Sequence, residues 1–343
     1  MWARKYFIHF IRFHQREIRI YLFTAYYTYA PCIYQETALR YCHGIKKDSM
    51  AKQRMIRKVF QGKPAIEGAG VHLKRVFGNN EVPLFDPFLM LDDFRSDNPD
   101  HYLAGFPWHP HRGIETITYI LSGDVEHGDS MGNTGIISSG DTQWMTAGSG
   151  IIYQEMPRGD NKGRMEGFQL WANLPKSHKM MEPRYRDIKF AQVPEVMLEN
   201  GTKIKIICGK VGEYEGPVKG IIIDPEYLDV TVPASRELRY STKSGYTTFA
   251  YVIDGQGNFD MKTEQTIVNG SVCLYDDGDY ITVKADVKPV RFLLISGKPI
   301  GEPVAWHGPI VMNTDEELRI ALDEYQKGTF IKHTKPKRMQ FCN

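Results

Sequence analysis

Nowhere in its 343 residues does the sequence hold a run of eighteen apolar side chains, so no transmembrane helix and no membrane partner is expected. Cysteine is sparse. The five present (Cys32, Cys42, Cys208, Cys273 and Cys342) are scattered without C-x-x-C spacing. An odd, dispersed set argues against a disulfide framework and for reduced thiols inside a cell, so a cytoplasmic location is expected, with the nucleus also open in a eukaryote. There is no excess of one charge: a net charge of +2 is spread rather than blocked, and no face for direct nucleic-acid binding is expected. Histidine is missing from the whole stretch between His178 and His307. Whatever residues 200–300 build, an imidazole-held transition metal inside it is excluded. Acids are scarce at the start, where residues 1–49 carry only Glu17, Glu36 and Asp48 among many Tyr, Phe, Ile and Arg. An Arg-rich, acid-poor start suits an organelle transit peptide, but Thr24 and Thr28 are the only Ser or Thr before Thr37. The plainer expectation is that Met50 is the working start and the preceding segment adds nothing to the fold.

What remains is an ordinary globular composition, 42% apolar and 24% charged, in a chain long enough for two domains with full cores. From Met55 onward, short apolar runs are bounded by clusters such as Gly78-Asn-Asn, Ser122-Gly-Asp, Asp129-Ser-Met-Gly-Asn and Ser138-Ser-Gly-Asp. Turn signals about every ten residues between 105 and 175 favour a β-sandwich or barrel over βαβ units. Pro175 to Met197 breaks that rhythm and reads as a linker, with His178 and Arg184 solvated. The strand pattern resumes from Lys203 through Ile295. The segment Asp315 to Tyr325 reads as a helix capped by Thr314 or Asp315, with Leu318, Leu322 and Tyr325 as its apolar stripe and Gly328 as its stop. The predicted division is 1–49, a first barrel at 50–175, a linker at 176–200, a second barrel at 201–312, and a helix and basic tail at 313–343.

The chemistry concentrates between Gly105 and Pro157. In Trp108-His109-Pro110-His111-Arg112-Gly113-Ile114-Glu115, the two imidazoles are two residues apart and share one face of an extended strand. Glu115 has the same parity and joins them if the strand runs on unbulged. Tyr153 and Glu155 form a second i,i+2 pair, and a hairpin through Gly140-Asp141 would bring strand 109–121 beside strand 144–155. Imidazole and carboxylate donors suit iron, manganese, nickel, copper or zinc rather than calcium or magnesium. A carboxylate on an inward face needs a cation partner, and Glu155 finds one in an ion shared with His109 and His111. Glu115 is expected to be an outer acceptor for an imidazole N–H, or a proton carrier. Arg112 reads as an anion binder or as half of a surface ion pair. Trp108, Trp144, Met145, Phe168 and Trp171 are expected in the barrel core.

Six segments in order also carry a resemblance. Asp86-Pro-Phe-Leu-Met-Leu-Asp-Asp-Phe94, Pro110-His-Arg-Gly-Ile-Glu-Thr116, Gly140-Asp-Thr-Gln-Trp-Met-Thr-Ala-Gly148, Glu155-Met-Pro157, Gly167-Phe-Gln-Leu-Trp-Ala-Asn-Leu174 and His307-Gly-Pro-Ile-Val-Met-Asn-Thr314 resemble the pirin family. The resemblance covers roughly residues 55–330. It implies an all-β bicupin, two antiparallel β-barrels with a short C-terminal helix, whose first barrel holds one divalent transition metal, usually iron, on three His and one Glu. His109, His111 and Glu155 match three of those ligands, and Tyr153 stands where the family has the remaining His. Three readings of Tyr153 follow: His109, His111 and Glu155 alone form a two-His, one-carboxylate site; a Tyr153 phenolate ligates Fe(III); or the site is degenerate. The resemblance further implies a quercetin 2,3-dioxygenase-type oxidoreductase opening a flavonol, with Glu155 or Glu115 taking the substrate proton, in a monomer. Its alternative is an iron-dependent transcription coregulator that binds a transcription factor or metabolic enzyme.

Overall fold

The structure, a computed structural model, describes residues 51–333 apart from 264. The expectations for residues 1–49, for the end of the basic tail, and for Cys32, Cys42 and Cys342 lie outside the described residues. In chain order the first twelve strands are β1 (Ile56–Gln61), β2 (Lys63–Glu67), β3 (Val71–Phe77), β4 (Phe88–Asp93), β5 (Phe106–His111), β6 (Ile114–Ser122), β7 (Asp124–Asp129), β8 (Thr134–Ile137), β9 (Thr142–Thr146), β10 (Ile151–Arg158), β11 (Glu166–Asn173) and β12 (Arg184–Ile188). All but β1 build a seven-stranded sheet, β12-β9-β6-β11-β4-β3-β2, and a four-stranded sheet, β5-β10-β7-β8. The second half repeats the plan. Its seven-stranded sheet runs β1, Ser271–Tyr275, Thr247–Asp254, Val290–Gly297, Glu226–Val232, Lys203–Cys208, Glu195–Met197; its four-stranded sheet runs Glu237–Ser241, Tyr280–Ala285, Gln256–Asn258, Thr266–Val268. Neighbouring strands are antiparallel throughout these sheets, as in β5 with β10 and β6 with β9.

Strand parity decides what each face meets. On β6, Ile117 and Tyr119 point away from the first barrel's interior into an apolar core shared with Tyr227, Tyr251, Phe249, Leu293 and Ile295 of the second half. Phe77 and Phe85 stack at 3.9 Å, and Phe249 meets them edge-on at 5.4 and 5.5 Å. Each such ring pair adds about 0.5–1.5 kcal/mol beyond its buried area. The second barrel's interior is filled by Ile206, Leu228, Val252, Phe259, Ile281 and Phe292 among others, a packed apolar core.

Two boundaries differ from the sequence expectation. β1, assigned to the first barrel, pairs with Ser271–Tyr275 in the second. The expected linker is largely strand: β12 edges the first sheet beside β9, and Glu195–Met197 edges the second. Arg184 is accordingly not solvated but half-buried, its Nε donating to Thr146 Oγ1 at 3.2 Å. After the second barrel the chain returns to the first. A hairpin, Ala305–His307 and Ile310–Met312, leads into the helix Asp315–Gln326. Thr314 caps that helix by accepting the Glu317 N–H at 3.2 Å, and Gly328 (φ +72°) follows its end. Leu318 and Leu322 pack on Ile310, Met312 and Phe330, while Tyr325 stays 40% exposed with its ring against Phe330.

Candidate metal centre

Strands β5 and β10 lie side by side in the register Ile151↔His111 and Tyr153↔His109, and then slip so that Glu155 faces Phe106. The slip is a bulge at Pro107-Trp108, which leaves His109, His111 and Glu155 on one cavity of about 510 Å³. The imidazoles meet there, Nε2 to Nε2 at 2.9 Å. Their other nitrogens fix the tautomers. His109 Nδ1 lies 2.8 Å from the Pro107 carbonyl and His111 Nδ1 3.3 Å from the Pro309 carbonyl. A carbonyl oxygen only accepts, so both Nδ1 atoms carry the hydrogen and, in the neutral rings, both Nε2 atoms present lone pairs to each other. Burial and the neighbouring His109 hold the His111 ring well below the ordinary imidazole range, which keeps it neutral. Two imidazole nitrogens this close would be able to hold one ion together.

Glu155 presents the matching negative charge. It is 4% exposed, and its carboxylate accepts only neutral donors, Thr118 Oγ1 at 3.2 Å and Gln169 Nε2 at 3.0 Å. Among the described residues no Lys or Arg pairs with it, and the guanidinium on the cavity wall, Arg75, is committed to Asp92 and Glu67, so the buried carboxylate and the two imidazoles share a cavity without a cation of their own. Among the described residues no three His, Cys, Asp or Glu side chains already stand as a closed coordination group. The donor chemistry of His109, His111 and Glu155 nonetheless fits a divalent transition metal.

The Tyr153 hydroxyl is engaged by another partner. The residue is 1% exposed, and its hydroxyl donates to Gln143 Oε1 at 2.6 Å. Gln143 in turn donates both amide hydrogens, to His127 Nε2 and to Asp187 Oδ1, each at 2.9 Å. Burial, together with the Glu155 carboxylate, pushes the phenol well above its usual range and opposes a phenolate. Glu115 is placed elsewhere. Gly113 (φ +78°) ends β5, so β6 starts in a different sheet and its parity is reset. Thr118 turns inward to Glu155, while Glu115 points the opposite way, accepts from Thr146 Oγ1 at 2.6 Å and lies 3.9 Å from Arg184. The outer acceptors of the imidazoles are backbone carbonyls instead. Arg112 is neither an anion binder nor a surface residue: at 2% exposure it donates to the Ser149 and Phe330 carbonyls and to Glu324, each at 2.7 Å.

The remaining walls combine apolar and polar groups. Trp171 and Trp306 (ring centroids 5.9 Å apart), Met90 and Phe106 give the apolar part. Trp144, Met145, Phe168 and Trp171 are in the core as expected, Trp171 also lining the cavity, but Trp108 is 52% exposed. The polar wall of Gln169, Asp92 and Arg75 is absent from the sequence reading. Arg75 grips Asp92 through Nε (2.9 Å) and Nη2 (2.8 Å). Its signal was available, since Asp92 and Gln169 interrupt otherwise apolar strands at the parity of Met90 and Trp171.

Two antiparallel barrels in tandem, one with an imidazole–carboxylate cavity and one filled with apolar side chains, define a bicupin with one candidate metal centre. Comparison with known proteins gives the family. Residues 70–172 match Pirin and residues 227–331 match the Pirin C-terminal cupin domain. A pirin-like protein of Caulobacter vibrioides is 42% identical over 278 residues, spanning 81% of this chain and 99% of that protein. Pirin-like protein 2 of Arabidopsis thaliana is 40% identical over 281 residues, spanning 80% and 84%. The chain belongs to the pirin family. Among solved structures, a quercetin 2,3-dioxygenase from Acinetobacter baumannii superposes with a TM-score of 0.74 at 27% identity, covering 81% of this chain and 99% of that one. A bacterial pirin from Escherichia coli in complex with nickel(II) shares the fold, with a TM-score of 0.52 at 20% identity over 71% and 98%.

Proposed function

We propose that this pirin-family chain is a metal-dependent dioxygenase acting on a flat, hydroxylated aromatic of the flavonol type. One observation carries the reading: two imidazoles whose Nδ1 atoms face backbone carbonyls and whose Nε2 atoms lie 2.9 Å apart share a cavity with a buried carboxylate that no Lys or Arg among the described residues pairs with. His109, His111 and Glu155 would hold one divalent transition metal, iron in this reading, with Tyr153 outside the donor set. Bound there, the metal supplies the electronic link between substrate and oxygen that neither forms alone. The chain's own residues do the rest. Trp171, Trp306, Phe106 and Met90 offer faces of the size and polarity of an aromatic ring system. Gln169 and the Arg75–Asp92 pair offer hydrogen bonds to ring hydroxyls. Glu155, held by neutral donors only, accepts the proton of the hydroxyl that approaches the imidazoles. The closeness of the Acinetobacter baumannii dioxygenase, with a TM-score of 0.74, supports the substrate class. The test is oxygen uptake with quercetin after reconstitution with Fe(II), Ni(II) or Mn(II). Turnover that vanishes in His109→Ala and in His111→Ala is the expected result. A fully metallated protein that consumes no oxygen with any flavonol would remove the enzymatic reading and leave only the metal site.

A further inference from the structure

The centre belongs to the first barrel, but the group that aims His111 comes from the other end of the chain. The Pro309 carbonyl that takes the His111 Nδ1–H is 198 residues away in sequence. Around it, the segment from Ala305 to Phe330 is fastened to the Arg112-Gly113 turn directly after His111. The Val311 N–H donates to the Arg112 carbonyl at 3.0 Å. The Val311 carbonyl packs so tightly on Gly113 that an added Cβ would stand 1.9 Å from it. Lys179 Nζ, buried, ties the Val311 carbonyl (3.0 Å) to the Gly113 carbonyl (2.9 Å) and to Asn173 Oδ1 (2.7 Å). The Arg112 guanidinium spans the two ends of the arrangement. It reaches Ser149 in the turn before β10, Glu324 on the helix and the Phe330 carbonyl, and it lies 4.1 Å over the Phe330 ring. Phe330 also covers Gly150, the residue before the strand that carries Glu155. One ligand-bearing strand, β5, therefore ends against this strap and the other, β10, starts against it.

We propose that the C-terminal strap, residues 305–330, is the positioning element of the centre, and that Arg112 is the positioning residue that latches it. With the strap docked, the Pro309 carbonyl selects the Nδ1–H tautomer of His111 and turns Nε2 to the cavity; with it released, His111 Nδ1 loses this acceptor. Neighbours that orient a ligating imidazole through its second nitrogen change metal affinity by roughly 10- to 100-fold. The metal arm rests on the proposed centre, whereas the tautomer arm is read on metal-free protein and stands without it.

The experiment compares the full chain with Phe330→Ala and Glu324→Gln, using Glu316→Gln, whose partner is Arg319 on the same helix, as the control. Three readouts are taken: hydrogen exchange at the Val311 amide, the tautomer of His111 from long-range ¹H–¹⁵N spectra of ¹⁵N-histidine-labelled protein, and Ni(II) affinity by calorimetry. The expected result is a freed Val311 amide, a mixed His111 tautomer and about tenfold weaker Ni(II) binding in both strap variants, with the control unchanged. If Phe330→Ala fails to fold, the partly exposed Glu324 position decides alone. A freed Val311 amide with an unchanged tautomer and affinity overturns the proposal. So does a Val311 amide that stays protected in the folded variants, because Arg112 would then be no latch. If the wild type binds no Ni(II), the proposed function fails while the tautomer comparison still judges the strap.

Discussion

Tyr153 offers the sharpest perturbation, because three readings of one residue give three outcomes. Its hydroxyl donates to Gln143 Oε1 at 2.6 Å. Tyr153→Phe should therefore leave metal content and affinity within about twofold while destabilising the fold. The cost is that of an orphaned buried acceptor on Gln143, about 1–3 kcal/mol. At roughly 2–4 °C per kcal/mol for a domain of this size class, the thermal midpoint should fall by several degrees. Tyr153→His acts in the opposite direction on the metal. Position 153 pairs with His109 in the β5–β10 register, so an imidazole there adds a nitrogen donor beside the existing two. Metal affinity should rise tenfold or more, about 1.4 kcal/mol, and flavonol cleavage should rise with it. Urea or thermal unfolding of metal-free protein, elemental analysis and Ni(II) calorimetry separate the two effects. A coloured ferric protein whose charge-transfer band disappears in Tyr153→Phe would refute the reasoning, since it would show a ligating phenolate. Absence of metal from the wild type, cured only by Tyr153→His, would show that the two-His, one-carboxylate set is insufficient.

Elemental analysis should find one transition metal per chain, and none after His109→Ala with His111→Ala; a second equivalent would contradict the apolar filling of the C-terminal barrel. Metal-free protein should lose stability as the pH falls below the ordinary imidazole value of 6.5, because the unfolded chain then binds a proton that buried His111, with its lowered value, refuses. That acid slope should shrink in His111→Gln, and an unchanged slope would assign it to other groups. Gly113→Ala should destabilise by more than the roughly 1–3 kcal/mol of a strained backbone alone, since the new Cβ also meets the Val311 carbonyl at 1.9 Å; a midpoint within a degree of wild type would show that this contact is slack.

Much of the fold was legible because it is written in local signals. Gly and Asp turns at short intervals, alternating strands and a capped C-terminal helix all depend on neighbours in sequence. The pair His109 and His111 was legible for the same reason, two residues apart on one strand. Glu115 misled because parity persists only while the strand does, and Gly113 breaks it; a Gly directly after Pro-His-Arg was the available warning. Arg112 and Pro309 could not be read, since their partners are Glu324, Phe330 and His111, brought together by the path of the chain and by no pattern within it. Asp92 and Gln169 lie between these cases. A lone polar residue in an apolar strand announces an inward polar site but does not say which one.

The two halves exchange their ends. β1 leaves the first barrel to pair with Ser271–Tyr275 in the second, and the strap of residues 305–330 leaves the second to close over the first. Neither barrel is thus complete without chain contributed by the other, and the seven-stranded sheets share one aromatic core. This gives the second barrel a role that its lack of histidine would otherwise leave obscure. A packed apolar barrel is a stiff anchor, and it fixes where the strap begins. The strap in turn presents the carbonyl beside His111, so loosening the second barrel's core should reach the centre through Pro309 before it alters any side chain that lines the cavity.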